Sequence, residues 1–296
     1  MNKAFFYIVT GAALWGTIGW YVKHLYAYGL APMEVVTLRV WSSAIILLGF
    51  MLFTAPKQLT LHKLTDIKYF LGTGIFSFIF FNFCMFMAID LATIPMATAL
   101  LYTAPAFVAV SSFFLFKEPL TKLKITSILM TIIGTSFVAG IVPLDPDVLH
   151  VGSLLFGLGS GIGYALYSIF SKFALKKYTS LVITTFTFVV AGVALIPFFP
   201  YKQKLLLLLD PTVLFYVVGL GFLPTAFAYI IYTYGLEQTE ASSASILTTV
   251  EPVVATLIGV FVFHEAFSFF QFIGMSCIIV AVILLHIHSI RNAPQT

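Results

Sequence analysis

The stretch ASILTTVEPVVATLIGVFVFHEAFS, residues 244–268, is matched far upstream by ATALLYTAPAFVAVSSFFLFKEPLT, residues 97–121. Ala244 answers Ala97, Leu247 Leu100, Pro252 Pro105, Phe261 Phe114, Phe263 Phe116 and Glu265 Glu118, all at a displacement of 147 residues. The same displacement pairs Gly219 with Gly72 and Gly221 with Gly74. One of 149 pairs Lys172 with Lys23 and Tyr164 with Trp15. In a chain of 296 residues, a repeat at half the length describes two copies of one unit.

Composition says what solvates that unit. Hydrophobic residues make up 60% of the chain and charged residues 9%, with a mean hydropathy of +1.06. Soluble domains carry about a quarter charged residues, so this surface has to face lipid. A spanning helix needs about 20 mainly apolar residues. That ruler finds ten segments, near 4–22, 32–53, 67–89, 93–116, 123–141, 150–171, 180–199, 211–234, 240–263 and 269–288. The opening run has a lysine and an apolar core but no small-x-small cleavage site, so it reads as a retained span. Cys84 and Cys277 lie inside apolar runs as small fillers, with no disulfide framework or metal site indicated. The net charge of +4 is no nucleic-acid footprint.

Lysine and arginine collect in cytoplasmic loops. With the N-terminus inside, eleven lie on the cytoplasmic side: Lys3, Lys57, Lys63, Lys68, Lys117, Lys122, Lys124, Lys172, Lys176, Lys177 and Arg291. Three lie outside, Lys23, Lys202 and Lys204. Both termini are therefore expected in the cytoplasm of an inner-membrane protein. The fold expected is all-α and polytopic, ten transmembrane helices in two five-helix repeats over 1–143 and 144–296. Five is odd, so the second repeat enters the membrane inverted. Secondary transporters use this plan, with the substrate site near the midplane.

A few residues sit where hydrocarbon makes them costly. Glu251 lies mid-span, where a charge costs on the order of 2.5–3.5 kcal/mol. It either lines a cavity, binding an amine or a coupling proton, or is protonated and fastens helices. Its mate is Ala104, so the repeat does not require a carboxyl there. Pro252 and Pro105 remove a backbone donor and are expected to break their helices near the site. Asn82 and Tyr229 are paired by the 147 displacement and suggest one shared cavity. Trp15 and Tyr164 form another symmetric pair, and Tyr102 stands on the Pro105 face. These aromatics line a pocket or else pack. Arg39 is expected to snorkel or to pair with Glu34, with a place in the pathway as the alternative. Gly157, Gly159, Gly161 and Gly163 offer small faces for close helix approach. Glu118 and Glu265 read as helix-end carboxylates.

The aromatic-small-Pro pattern of spans four and nine, followed by FLFKEPLT or FVFHEAFS, resembles the EamA-type domain of the drug/metabolite transporter superfamily. GAALWGTIGWYVK, PMEVVTLRVWSS and VEPVVATLIGVFVFHE resemble other spans of the same unit. The second copy departs at TTFTFVVAG, which has no counterpart of Arg39. The resemblance implies a carrier that works by alternating access without ATP, with spans one, three, four, six, eight and nine around a central cavity.

The function expected is secondary active transport of a small metabolite, an amino acid or related amphipathic compound, or a drug, more in export than uptake. Trp15, Asn82, Tyr102, Tyr164, Tyr229 and Glu251 would bind the substrate. No cofactor is expected. The partners are the substrate, membrane lipid and a coupling proton, in a monomer or weak homodimer. The alternative is an integral membrane enzyme acting on a lipid-linked substrate. Against it, the six histidines are scattered and neither GxSxG nor HExxH occurs.

Overall fold

The computed structural model describes residues 3–140 and 151–291. The expected boundary between residues 143 and 144, the linker at 142–148 and His150 lie outside the described residues. Among those described, nine helices are long and apolar enough to cross a membrane. They are α1 (Lys3–Ala27), α2 (Pro32–Thr54), α3 (Leu64–Leu91), α4 (Ile94–Phe116), α6 (Val151–Ala174), α7 (Ser180–Phe198), α8 (Pro211–Glu237), α9 (Ala241–Phe263) and α10 (Phe269–Arg291). Between them, α5 (Lys122–Val138) is a 17-residue helix at the place of the fifth expected span.

Short polar signals start these helices. Thr93, Thr121, Thr179 and Asp210 each accept a backbone N–H of the following first turn, satisfying donors that have no partner within the helix. Glu34 folds back on the Ala31 N–H at 2.8 Å to close the start of α2. The ends of α4 and α9 are also twins. Among the described residues, Lys117 and His264, 147 apart, are the non-glycine residues with positive φ (59° and 55°), and each ends its helix in a left-handed turn. The next amide in each case, of Glu118 and Glu265, donates to the carbonyl of Ser112 and of Gly259, again 147 apart.

The packing is inside-out by the standards of a soluble protein. Phe53 is 93% exposed, and Phe114, Phe215, Phe261 and Phe269 are exposed too, while Ser43, Thr73, Ser112, Ser127 and Thr131 are sealed inside. In lipid a bare phenyl ring costs nothing, and a buried hydroxyl can meet a neighbouring helix, as Ser43 does at the Gly221 carbonyl and Thr73 at the Thr187 hydroxyl. The main contacts join α1 to α8, α2 to α7 and α8, α3 and α4 to α6, and α5 to α10. Glycines allow the closest of these. A Cβ on Gly163 would stand 2.9 Å from the backbone of Phe81, and one on Gly161 3.1 Å from the carbonyl of Leu100. The small faces of α6 thus meet α3 and α4, as the glycine spacing predicts.

Candidate functional site

Five helices depart from regular α geometry in their middles. α1 is interrupted at Gly16–Thr17, α4 at Tyr102–Thr103 and α9 at Thr248–Thr249. In each, a threonine hydroxyl takes up a carbonyl three residues back: Thr17 to Leu14, Thr103 to Leu100 and Thr249 to Ile246, at 2.6–2.7 Å. In α3 and α8 the chain widens into π-helix over Gly72–Ile79 and Phe222–Phe227, at matched places in the two halves. π segments and local breaks commonly mark functional sites. The breaks in α4 and α9 precede Pro105 and Pro252, which sit in the first turn of the segments that follow. Each break thus stands just ahead of its proline, which lies in the first turn of the restarted segment, where a missing amide hydrogen costs no intrahelical bond.

The side chains at these irregularities converge. Tyr164 on α6 donates to Glu251 Oε2 on α9 at 3.1 Å, and the Tyr102 hydroxyl stands beside the same carboxyl. The Trp15 ring packs against Tyr229 at 4.8 Å, Tyr232 at 5.0 Å and Tyr164 at 6.1 Å between centroids. With Ser77, Phe78, Phe81, Tyr167 and Ser168 these rings enclose a space of about 10 Å³, the room of one water. The indole Nε1 of Trp15, which is 4% exposed, donates to no described residue.

Of the residues singled out from sequence, Trp15, Tyr102, Tyr164, Tyr229 and Glu251 come together here. Asn82 is buried nearby on α3 but donates to the carbonyl of Phe78, 2.8 Å away on its own helix, and does not line the space. Tyr167, Ser168 and Tyr232 were not singled out. They lie one turn beyond Tyr164 and Tyr229 on the same faces, and they cross-link α6 to α8 through Ser168–Tyr232 (2.7 Å) and Tyr167–Thr233 (2.9 Å).

Arg39 corrects an expectation. It neither snorkels nor meets Glu34, which is occupied at the head of α2 beside Lys204. It is 6% exposed, and its Nε donates to Thr225 Oγ1 at 2.7 Å. Thr225 lies in the π segment of α8, and its hydroxyl in turn donates to the carbonyl of Leu220, five residues back. The guanidinium carbon is 5.3 Å from the centre of the Phe78 ring, which also borders the central space. Where α7 meets the π segment of α3, the contact is uncharged, Thr187 with Thr73 at 2.6 Å.

Glu118 and Glu265 also part company. Glu118 is buried and caps the start of α9, accepting from the amides of Ala241 (2.8 Å) and Ser242 (3.0 Å) and from the Ser242 hydroxyl (2.6 Å). Lys172 donates to the carbonyls of Leu236 and Thr239 at the same corner. The anion sits on free N–H groups and the cation on free carbonyls, the arrangement helix-end dipoles favour. At the opposite end the matched residues, Lys23 and Glu265, pair with each other at 3.2 Å with both side chains more than half exposed. The second half of α4 packs on the first half of α9 near the Glu118 corner. Among the described residues the matched pairing, first half of α4 with second half of α9, has no comparable contact. On the lysine-rich side, Phe5, Lys117, Lys124, Lys172 and Glu240 border a recess of about 980 Å³.

Residues 2–140 and 151–287 each match the model of the EamA-like transporter family. An uncharacterized transporter of Archaeoglobus fulgidus is 28% identical over 277 residues, 94% of either chain. YicL, an uncharacterized inner membrane transporter of Salmonella typhimurium, is 24% identical over 301 residues, covering 99% of this chain and 98% of its own. A solved crystal structure superposes over 99% of both chains with a TM-score of 0.79 at 20% identity, which shows a shared fold.

Proposed function

The chain belongs to the EamA-like transporter family, and from that premise we propose a secondary active carrier of a small amphipathic metabolite, an amino acid or a relative of one, working in export. The observation that carries this reading is the Tyr164–Glu251 bond inside a ring of aromatic side chains. A carboxyl at the middle of a spanning helix, held by Tyr164 of its own repeat with Tyr102 of the other repeat beside it, is placed to take an ammonium group or a proton. The rings around it offer surface to an apolar body.

The mechanism proposed is alternating access between two inverted repeats, 1–143 and 144–296, with ten spans, both termini in the cytoplasm and a proton as the coupling ion. The unequal ends of the molecule support it. In this conformation the α8–α9 corner is held by Glu118 and Lys172, while Lys23 and Glu265 leave the matched α3–α4 corner free. In the opposite conformation Glu265 would cap the start of α4 and Lys23 would turn to the carbonyls ending α3. That second clasp is the weaker, because the position matching Ser242 is Pro95, which has neither amide hydrogen nor hydroxyl.

The test is flux in proteoliposomes made with the purified chain. A carrier gives saturable counterflow of a labelled metabolite. Chemical turnover of a lipid-linked substrate would point to an enzyme and ohmic current to a channel, and either without counterflow overturns the reading.

A further inference from the structure

Three polar groups of different kinds stand at or behind the rings of the central chamber: Trp15 lines it, Glu251 bonds its Tyr164 and Arg39 lies over its Phe78. Glu251 has the Tyr164 hydroxyl. Arg39 is buried, yet among the described residues it has no carboxylate partner, and Nε is the one atom of its guanidinium with a hydrogen bond. A guanidinium carries five N–H donors in a planar fork, and the four on its η nitrogens bond no described residue. The charged and titratable groups that act on it electrostatically are Tyr229, Glu251 and Tyr164, of which the two tyrosines line the chamber. The third group is the Trp15 indole N–H, sealed from solvent and without an acceptor among the described residues, on a ring 4.8 Å from Tyr229. Phe78 lies under the guanidinium at 5.3 Å and 6.0 Å from the ring of Tyr229, on which Trp15 packs at 4.8 Å, and Phe78 and Trp15 both line the chamber.

Burying a cation without a partner anion is costly, as is burying a donor without an acceptor. The π segment of α8 maintains this arrangement by anchoring Nε through Thr225, which fixes the guanidinium plane and leaves its outer edge free. A carboxylate fits that edge, since its two oxygens match the fork of a guanidinium and could also accept the indole N–H. We propose that Arg39 and the Trp15 Nε1 form a carboxylate subsite facing Glu251, so that the chamber selects zwitterions over simple amines. The inference rests on the chamber being the substrate site and adds a specificity-determining residue, Arg39, to it. The chamber then reads charge at both ends: Glu251 takes the ammonium, Arg39 and Trp15 take the carboxylate, and the tyrosines hold the body between.

Three matched probes separate the ends: tryptophan with both charges, tryptamine with the ammonium alone and indole-3-propionate with the carboxylate alone. An aliphatic set (leucine, isopentylamine and 4-methylpentanoate) covers a different body. Thermal shift of the detergent-purified chain reads binding, since a ligand of the native state raises the melting temperature. The zwitterion of at least one set is expected to stabilise the wild type most. Arg39→Gln is expected to weaken it about ten- to a hundredfold, the worth of a charged hydrogen-bonded contact, while sparing the amine. Trp15→Phe, which keeps a ring and removes the donor, should act in the same direction more weakly, and Arg39→Lys should recover part of the loss. If Arg39→Gln does not fold, Thr225→Val, which frees the guanidinium from its anchor, should still lower the preference for zwitterion over amine. Amines that bind as well as zwitterions in the wild type, with Glu251→Gln abolishing both, overturn the subsite and leave the chamber as the substrate site. Failure of all six probes to bind overturns the subsite as well.

Discussion

The Tyr164 hydroxyl lies 3.1 Å from Glu251 Oε2 and joins the middle of α6 to the middle of α9, a link within the second half of the chain. The displacement of 147 residues that pairs Pro252 with Pro105 gives Glu251 no acidic mate, only Ala104. The bond is thus where the second half departs from symmetry to build a charged site.

Replacing Glu251 by Gln keeps the shape and removes the titratable proton. Gradient-driven uphill flux in proteoliposomes is expected to vanish while exchange of substrate for substrate persists. Equal loss, or equal retention, of both would sink the coupling role. Tyr164→Phe should weaken substrate binding by roughly tenfold or more, because a hydrogen bond to a charged group is worth about 1.5–3 kcal/mol.

At the lysine-rich end, Glu118→Ala strips three bonds from the corner that starts α9. Loss of such a cap costs about 1 kcal/mol, so the melting temperature should fall. Ile246, fully buried where α9 meets Ala109 of α4, reports the opening. A cysteine at Ile246, with Cys84 and Cys277 replaced, is expected to react faster with a membrane-impermeant maleimide in Glu118→Ala than with Glu118 intact. The matched change Glu265→Ala should slow that reaction or leave it unchanged; a faster rate contradicts the alternating clasp.

Two glycine substitutions should differ in sign. Alanine at Gly163 puts a methyl 2.9 Å from the Phe81 backbone, forcing α6 from α3, at a cost of about 1–3 kcal/mol. Alanine at Gly19, where a Cβ meets nothing within 4 Å, should stabilise by up to about 1 kcal/mol through helix propensity. Thermal unfolding of the two variants checks both directions.

Lys177, in the connection after α6, donates to Asp66 at 2.7 Å, and that bond raises its pKa above the ordinary lysine value. A lysine raised in the folded state contributes stability that is fully present below its unfolded pKa and is lost as pH rises through the folded one. The melting temperature gap between wild type and Lys177→Met is therefore expected to hold steady from neutral pH to about 10 and to shrink above the ordinary lysine range of about 10.4. A gap that widens with alkalinity would exclude this account.

Several features could be read before any coordinates. The spans follow from apolar run length, and the small faces of α6 from glycine spacing. Trp15, Tyr102, Tyr164, Tyr229 and Glu251 could be chosen because polarity and symmetry both single out positions in the middle of apolar helices. Arg39 was misjudged for a physical reason. Snorkelling and burial are equally open to a long side chain one or two turns inside a span, and the choice depends on what the neighbouring helix presents. Here that is Thr225, whose hydroxyl is placed by a π segment that no residue pattern in α8 announces. Asn82 has the opposite history, a polar side chain that satisfies itself on its own helix.

By itself the sequence determined a lipid-solvated helical chain of two matched halves, because hydropathy and internal repetition are properties of the order of residues. Only the tertiary structure decided which twins behave alike. Lys117 and His264 do, because a backbone turn needs nothing beyond its own segment. Glu118 and Glu265 do not, because a cap exists only when another helix brings its free amides within reach, and in this conformation one corner does so while the other stands apart.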